Sequence, residues 1–496
     1  MVRAGLFGLL LLAAVAGAAL AGASPLARIL GTPRGDVLVG RDGPDTIAAG
    51  RGNDRVAAEY DSGVDRISCG PGRDIVVADR QDRVERDCEV VSRRLSRDRY
   101  ANPESQHESQ AEPDSFTIGA TTVTTFQVGR MDRGAATNLG FATSKDGGRT
   151  WREGLLPSLT KASVPPGPSD RASDPVVAYS VKHGVWLISG LAIENGIATR
   201  LTIQRSRNGI TWSPPIDAAL APAQGLAYDK QWLTCDNGAA SPFRGRCYLA
   251  YTDLRASGSV LALQRSDDGG LTWSAPLGLT IPLVGVIPVV QPDGKLTLSF
   301  WSPGSPGSIV AITTTDGGLT FNAPATVSEL RTSEVRPFRS PPLVASEVDQ
   351  QGAVLVTWQD CRFRAQCTEN DVVLARSSDG LTWSAPVRLT SGRNAVMPTI
   401  GVEPRTRRLA VLYYALYADG ADAELITSTN GSRWTAPQRL NARRMALEWM
   451  PQTTLGRMLA DYIAVTWSRG RPVAVYAHAS PPRNGKLRQA IYATDR

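Results

Sequence analysis

Six times between Ser144 and Trp434 the chain repeats one short turn. Ser144-Lys145-Asp146-Gly147-Gly148-Arg149-Thr150-Trp151 recurs around Asp268 and Asp316, closed there by Trp273 and Phe321. Versions one residue shorter are centred on Asn208, Asp379 and Asn430 and close on Trp212, Trp383 and Trp434. An alternating apolar run precedes each, such as NLGFATS at 138–144, the pattern of a half-buried strand entering a hairpin. Every part of the turn has a physical role. The Asp or Asn accepts hydrogen bonds from turn amides, Gly supplies positive φ, and the aromatic ring packs on the sheet. The Asp is therefore read as structural, not catalytic. The repeats are about 57 residues apart, room for four short strands with their loops. A chain built this way is all-β, a ring of antiparallel sheets. The 384 residues from Pro113 onward hold nearly seven such units, so seven blades are expected, with six as the alternative. The seventh lacks the turn but shows strands at 461–467, 471–480 and 488–495, and the stretch 99–106 is expected to supply its fourth strand.

A second, shorter period precedes the first. Asp36, Asp45 and Asp54 are nine residues apart, and Asp65, Asp74 and Asp82 continue the series less regularly. Two residues after each Asp comes an aliphatic one (Leu38, Ile47, Val56, Ile67, Val76, Val84), and Gly43, Gly52, Gly63 and Gly72 lie two residues before four of them. Gly permits the tight turn, carboxylates and turn carbonyls are hard oxygen ligands, and the aliphatic side chain points into a narrow stacked core. This predicts a small β-roll over 24–92. Arg41, Arg51 and Arg73 stand in its turns and offer another way to neutralise the carboxylates. The polar stretch 93–112 then reads as a linker, with the main domain over 113–496.

Both periods carry a family resemblance. The nine-residue series resembles the calcium-binding nonapeptide repeats of the repeat-in-toxin family, which implies structural calcium held by Asp36, Asp45, Asp54, Asp65 and Asp74. The longer repeat resembles the Asp boxes, or BNR repeats, of sialidase-like β-propellers. That likeness implies an axial pocket on the face opposite the boxes, where arginines grip a carboxylate sugar and a Tyr nucleophile, a Glu and an acidic Asp do the chemistry. Carried onto this sequence, it makes Arg130, Arg255, Arg339, Arg362 and Lys230 ligand-binding candidates, with Asp360 and Tyr462 as catalytic ones. The pattern is incomplete: the xRxP signature expected before the first box is matched by Phe338-Arg339-Ser340-Pro341, after the fourth. Tyr251, Tyr414 and Tyr476 compete with Tyr462 for the nucleophile, and Arg255 and Arg362 each have an Asp two residues upstream (Asp253, Asp360) to pair with. Binding of acidic glycans or other surface ligands without hydrolysis is therefore the favoured reading. An active sialidase-type exo-glycosidase and a structural cell-surface protein are the alternatives.

The compartment follows from the N-terminus and the cysteines. Arg3, the apolar run 6–19 and the small residues up to Ala23 read as a secretory signal peptide over 1–23, too short to span a membrane. The six Cys fall into close pairs, Cys69 with Cys88, Cys235 with Cys247 and Cys361 with Cys367, none accompanied by His, so local disulfides are expected in place of zinc. The formal charge of +7 is an arginine surplus without basic runs, which argues against nucleic acid and for carboxylate partners. The mature chain is expected to be a secreted monomer with no membrane span.

Overall fold

The computed structural model describes residues 27–221, 227–255 and 258–495. The expected signal peptide lies outside them. Among the described residues the only helical segments are two single 3-10 turns, Ala365–Cys367 and Leu447–Trp449. No helix there is long and apolar enough to cross a membrane.

The N-terminal part is a roll of eight short parallel strands: β1 (Ala27–Leu30), β2 (Val37–Val39), β3 (Asp45–Ala48), β4 (Arg55–Ala58), β5 (Arg66–Ser68), β6 (Ile75–Ala78), β7 (Arg83–Val84) and β8 (Val90–Arg94). Odd strands stack on one face and even strands on the other, so that Ala27 lies beside Asp45 and Thr46 beside Arg66. Two nine-residue repeats thus make one coil. Ile47, Val56, Ile67 and Val76 are buried between the faces together with the Cys69–Cys88 disulfide. The other two expected disulfides, Cys235–Cys247 and Cys361–Cys367, also form.

The rest of the described chain runs through successive four-stranded antiparallel meanders. The first is Gln110–Ile118, Thr121–Arg130, Ala136–Ser144 and Arg152–Leu155; five more follow up to Gln438–Arg439. The last has three strands of its own, Ala464–Ser468, Arg471–Arg483 and Lys486–Thr494. Its first strand packs on the first strands of both the sixth meander and the opening one, closing the ring. The fourth strand comes from the roll. β8 pairs antiparallel with Lys486–Thr494 (Tyr492 beside Arg94) and parallel with β6, so one seven-stranded sheet runs from the roll into the ring. This corrects the expectation for 99–106, which forms no strand. The reason is that β8 serves both sheets at once. Ala57, Val77 and Val90 of the roll bury against Tyr476, Tyr492 and Ala493, each large apolar side chain contributing about 1.5–3 kcal/mol. A shared core and a shared sheet join the two parts rigidly.

The recurrent turns form as their composition demands. Asp316 Oδ1 accepts from the N–H groups of Leu319 and Thr320 at 2.8 and 3.1 Å and from Thr314 Oγ1 at 2.7 Å. In the short version, Asp379 Oδ1 takes the N–H groups of Leu381 and Thr382, both at 2.8 Å. Asn208 accepts the equivalent pair from Ile210 and Thr211, so the turn does not need a charge. Asp146, Asp268 and Asn430 repeat the arrangement.

Candidate functional site

Five of the first strands carry the same irregularity near their start. Glu112, Asp174, Lys230, Gly285 and Met397 all have φ between 50° and 65°, each where the register with the second strand slips by an extra residue. These are β-bulges, which re-aim side chains, and four of the five place a non-glycine residue in the left-handed region at a cost of about 1–3 kcal/mol each. The strain is offset by what the bulges assemble at the centre of the ring. Lys230 Nζ donates to Asp461 Oδ2 at 2.5 Å and stands 3.7 Å from Asp174 Oδ2. Arg339 grips the same Asp461 bidentately, with Nε at 2.6 Å from Oδ1. Glu112 accepts from Gln127, and Arg130 donates to Ala135 O at 2.7 Å and lies against Met458 Sδ at 3.2 Å.

Burial and charge set the ionisation of this cluster. Burial opposes ionisation of Asp461, but Lys230 and Arg339 outweigh it and hold its carboxyl well below the usual range. Glu112 is pushed up to about 8, by burial first and by Asp174 second, and Asp229 to about 6, mainly by burial. Burial, with the negative charges of Glu112 and Asp174 added, raises the Tyr462 phenol far above its ordinary value, and its hydroxyl donates to Pro175 O at 3.2 Å. The competing tyrosines are buried and bonded too: Tyr251 to Gln264, Tyr414 to Ala477 O, Tyr476 to Ser92.

The axis therefore gathers Arg130, Lys230, Arg339 and Tyr462 from the predicted set. A hairpin of Gln452–Thr453 and Gly456–Arg457 reaches across it. Its backbone bonds to Pro337 and Arg339 on one side and to Gln106 and Asp132 on the other. Beside Asp174, Lys230, Trp232 and Tyr462 about 20 Å³ remains, room for one water. Arg255 and Arg362 are elsewhere. Arg255 pairs with Asp253. Arg362 pairs with Asp360 and reaches Ser328 and Glu329 of the preceding meander, stitching two sheets together. Asp360, further bonded to Trp358 Nε1, is fully buried and supplies no free acid.

Below the axial cluster, toward the hairpins between first and second strands, a cavity of about 520 Å³ opens. It is large enough for a sugar. Its lining includes Asp114, Glu347, Trp232, Phe116 and Thr399, with Asp461 and Tyr462 of the axial cluster at its edge, and no Lys, Arg or His. Burial raises Asp114 and Glu347 each to about 7, and Asp114 adds its charge to the shift of Glu347. The sequence reasoning missed these two acids, together with Glu112 and Asp174. A signal was present: Glu112-Pro113, Asp174-Pro175 and Met397-Pro398 each interrupt a strand pattern with X-Pro, a mark of bulges.

In the roll, the Asp carboxylates from Asp54 onward cap the amide of the Asp one coil earlier. Asp54 Oδ1 takes Asp36 N at 2.7 Å, Asp65 Oδ1 takes Asp45 N at 2.8 Å and Asp74 Oδ1 takes Asp54 N at 2.7 Å. The second oxygens of Asp54, Asp65 and Asp74 are buried without a partner. No ion pair joins an arginine to Asp36, Asp45, Asp54, Asp65 or Asp74 among the described residues, so the turn arginines do not neutralise the ladder; Arg73 bonds Gln438 instead. Among the described residues no preformed cluster of three ligating side chains is present. Rows of unpaired carboxylate oxygens nonetheless suit a hard cation. Calcium there would supply the positive charge the ladder lacks.

Comparison with known proteins agrees on this segment. Residues 30–59 match the RTX calcium-binding nonapeptide repeat. No curated protein matches the chain. Among solved structures, the Hadza microbial sialidase Hz136 is 18% identical with a TM-score of 0.45, over 62% of this chain and 64% of that one. The chain thus spans less than two thirds of that sialidase. Trypanosoma rangeli sialidase is 14% identical with a TM-score of 0.46, over 68% and 59%. Penicillium chrysogenum α-L-arabinanase is 16% identical with a TM-score of 0.42, over 65% and 92%.

Proposed function

We propose that this chain is an exported, calcium-stabilised, seven-bladed β-propeller that binds carbohydrate without hydrolysing acidic sugars. One observation carries the reading: Arg339 and Lys230, the cations that a sialidase-type site would turn toward a substrate carboxylate, both hold the buried Asp461 of the protein itself. The Tyr462 phenol already donates to a backbone oxygen, and the space beside it at Asp174, Lys230 and Trp232 takes a single water. The three disulfides and the calcium-type repeats support an extracellular setting. The recurrent turns are read as Asp boxes. The central cavity is then the carbohydrate site, with Trp232 and Phe116 as stacking surfaces. Its acidic lining suits a neutral sugar better than a sialic acid. The test is release of a fluorophore from a sialic acid glycoside, alongside calorimetric binding of neutral oligosaccharides. No turnover is expected, with binding lost in Trp232→Ala; sialoside turnover would overturn the reading.

A second reading has one observation in its favour. Asp114 and Glu347, both held near neutral pH in the same cavity, are poised to exchange protons. A neutral-sugar hydrolase would use them, and Glu347→Gln would then abolish turnover of neutral glycosides that the unmodified protein cleaves.

A further inference from the structure

A separate cleft of about 280 Å³ lies where the roll meets the last meander. One wall is the roll turn at Gly40, Arg41 and Asp42; the other is Arg443 with Ser480, Arg483 and Arg488. The turn is tied into the carboxylate ladder, because Arg41 N donates to Asp45 Oδ2 at 2.6 Å and Gly40 N to Ala57 O at 2.8 Å. Four arginines therefore line one small polar space, together with three acids, Asp42, Glu59 and Asp61. Only Arg483 is paired, bidentately with Asp42 on the exposed rim. Arg488 donates to the backbone oxygen of Glu59 at 2.9 Å and lies over the Tyr60 ring, and Arg443 lies over Trp449. Neither they nor Arg41 have a carboxylate at ion-pairing distance among the described residues.

The floor has the opposite character. Glu59 is 7% exposed; its Oε1 accepts from Ser480 Oγ at 2.8 Å and stands 3.9 Å from His478 Nε2. Its Oε2 is buried with no donor, as is Nδ1 of His478. Burial opposes ionisation of Glu59, but His478, Ser480 and Arg488 outweigh it, so the orphan oxygen belongs to a carboxylate. Cationic donors on the walls, of which Arg488 and Arg443 are seated on aromatic rings, and an unsatisfied acceptor at the floor are complementary to a molecule with one anionic group and several hydroxyls. The volume, just under the range of drug-sized sites, fits one sugar residue.

We propose that this junction cleft binds an acidic saccharide residue, its anionic group held by Arg41, Arg443 and Arg488 and a hydroxyl donated to Glu59. The ligand class rests on the carbohydrate-binding reading, but the site is distinct from the central cavity. The test is calorimetry on the full chain in calcium-containing buffer, with an oligogalacturonate, a sulfated disaccharide and a neutral disaccharide as probes. Saturable binding of an acidic probe is expected, carboxylated or sulfated according to which binds, and none of the neutral probe at this site. Arg443→Ala and Arg41→Ala should each weaken it by about tenfold or more with an unchanged melting midpoint. Absence of saturable binding by both acidic probes, or unweakened binding in both variants, would overturn the proposal. Neutral-oligosaccharide binding sensitive to Trp232→Ala reports on the central cavity alone, so either site can fail without the other.

Discussion

The roll and the axis of the ring both bury rows of carboxylates, and they treat them in opposite ways. At the axis, Asp461 has two protein cations on it and ionises more readily than in water. In the roll, Asp54, Asp65 and Asp74 have backbone amides on one oxygen and nothing on the other, and burial raises all three, Asp65 to about 6. Neighbouring Asp82 is raised to about 7 for the same reason. The axial cluster is internally neutralised. The roll carries an uncompensated charge that a cation from outside can take.

The largest expected effect breaks the axial side of this contrast. Asp461→Asn leaves Arg339 buried without its counter-charge and Lys230 with only Asp174 at 3.7 Å, which should cost about 3–5 kcal/mol in denaturant unfolding. A cost below about 1 kcal/mol would mean that solvent screens the cluster and that Asp461 does not neutralise it. Next comes the roll's covalent tie. Replacing Cys69 and Cys88 with Ser frees a loop of sequence separation 19 and should cost about 3 kcal/mol, read in the same way. Because β8 belongs to both sheets, that loss should appear in a single transition of the whole chain; two separated transitions would show that the roll unfolds alone.

Calcium removal tests the other side. Free calcium at about a hundred times its Kd should add about 2.7 kcal/mol, so chelation should lower the melting midpoint of the full chain. The pH dependence without calcium has a definite sign. Carboxyls raised in the folded state bind more protons there than in the unfolded chain between about pH 4 and 7, the window bounded by Asp65 and Asp82. Stability in chelator should therefore fall as pH rises through that window. Calcium should remove the roll's share of that slope, since it binds the deprotonated ladder, and leave the share of Asp114 and Glu347. An unchanged midpoint with and without chelator at both ends of the window would sink the cation reading.

What the sequence revealed of all this follows a physical line. Turns and coils are written locally, so the six hairpin motifs, the nine-residue ladder and the three cysteine pairs could be read directly. Closure of the ring is non-local: β8 looks like one more roll strand and carries no mark of its second partner in Lys486–Thr494. The axial cluster is harder still, because Glu112, Asp174, Lys230, Arg339 and Asp461 come from different meanders and meet only through bulges. Arginine was a good guide to charge and a poor guide to exposure. Arg362 and Arg255 sit two residues from an Asp and spend their guanidiniums there.

The smallest effect sharpens the comparison with a third kind of carboxylate. Asp379 has no cation and is only half-buried, yet its carboxyl is held below the ordinary range by the amides of Thr382 and Leu381. These donors are dipoles, not charges, and an amide oxygen accepts from them as well, which is how Asn208 occupies the same turn. Asp379→Asn should therefore change stability by less than about 0.5 kcal/mol, while Asp379→Ala strips both amides of their acceptor and should cost about 1 kcal/mol. A depressed pKa also means that whatever the charge adds is present at neutral pH and lost on acidification toward the folded value. The difference between Asp379 and its Asn variant should thus vanish at low pH. If Asp379→Asn instead costs as much as Asp379→Ala, the turn carboxylates act through charge, and they belong with Asp461 as members of a neutralised pair.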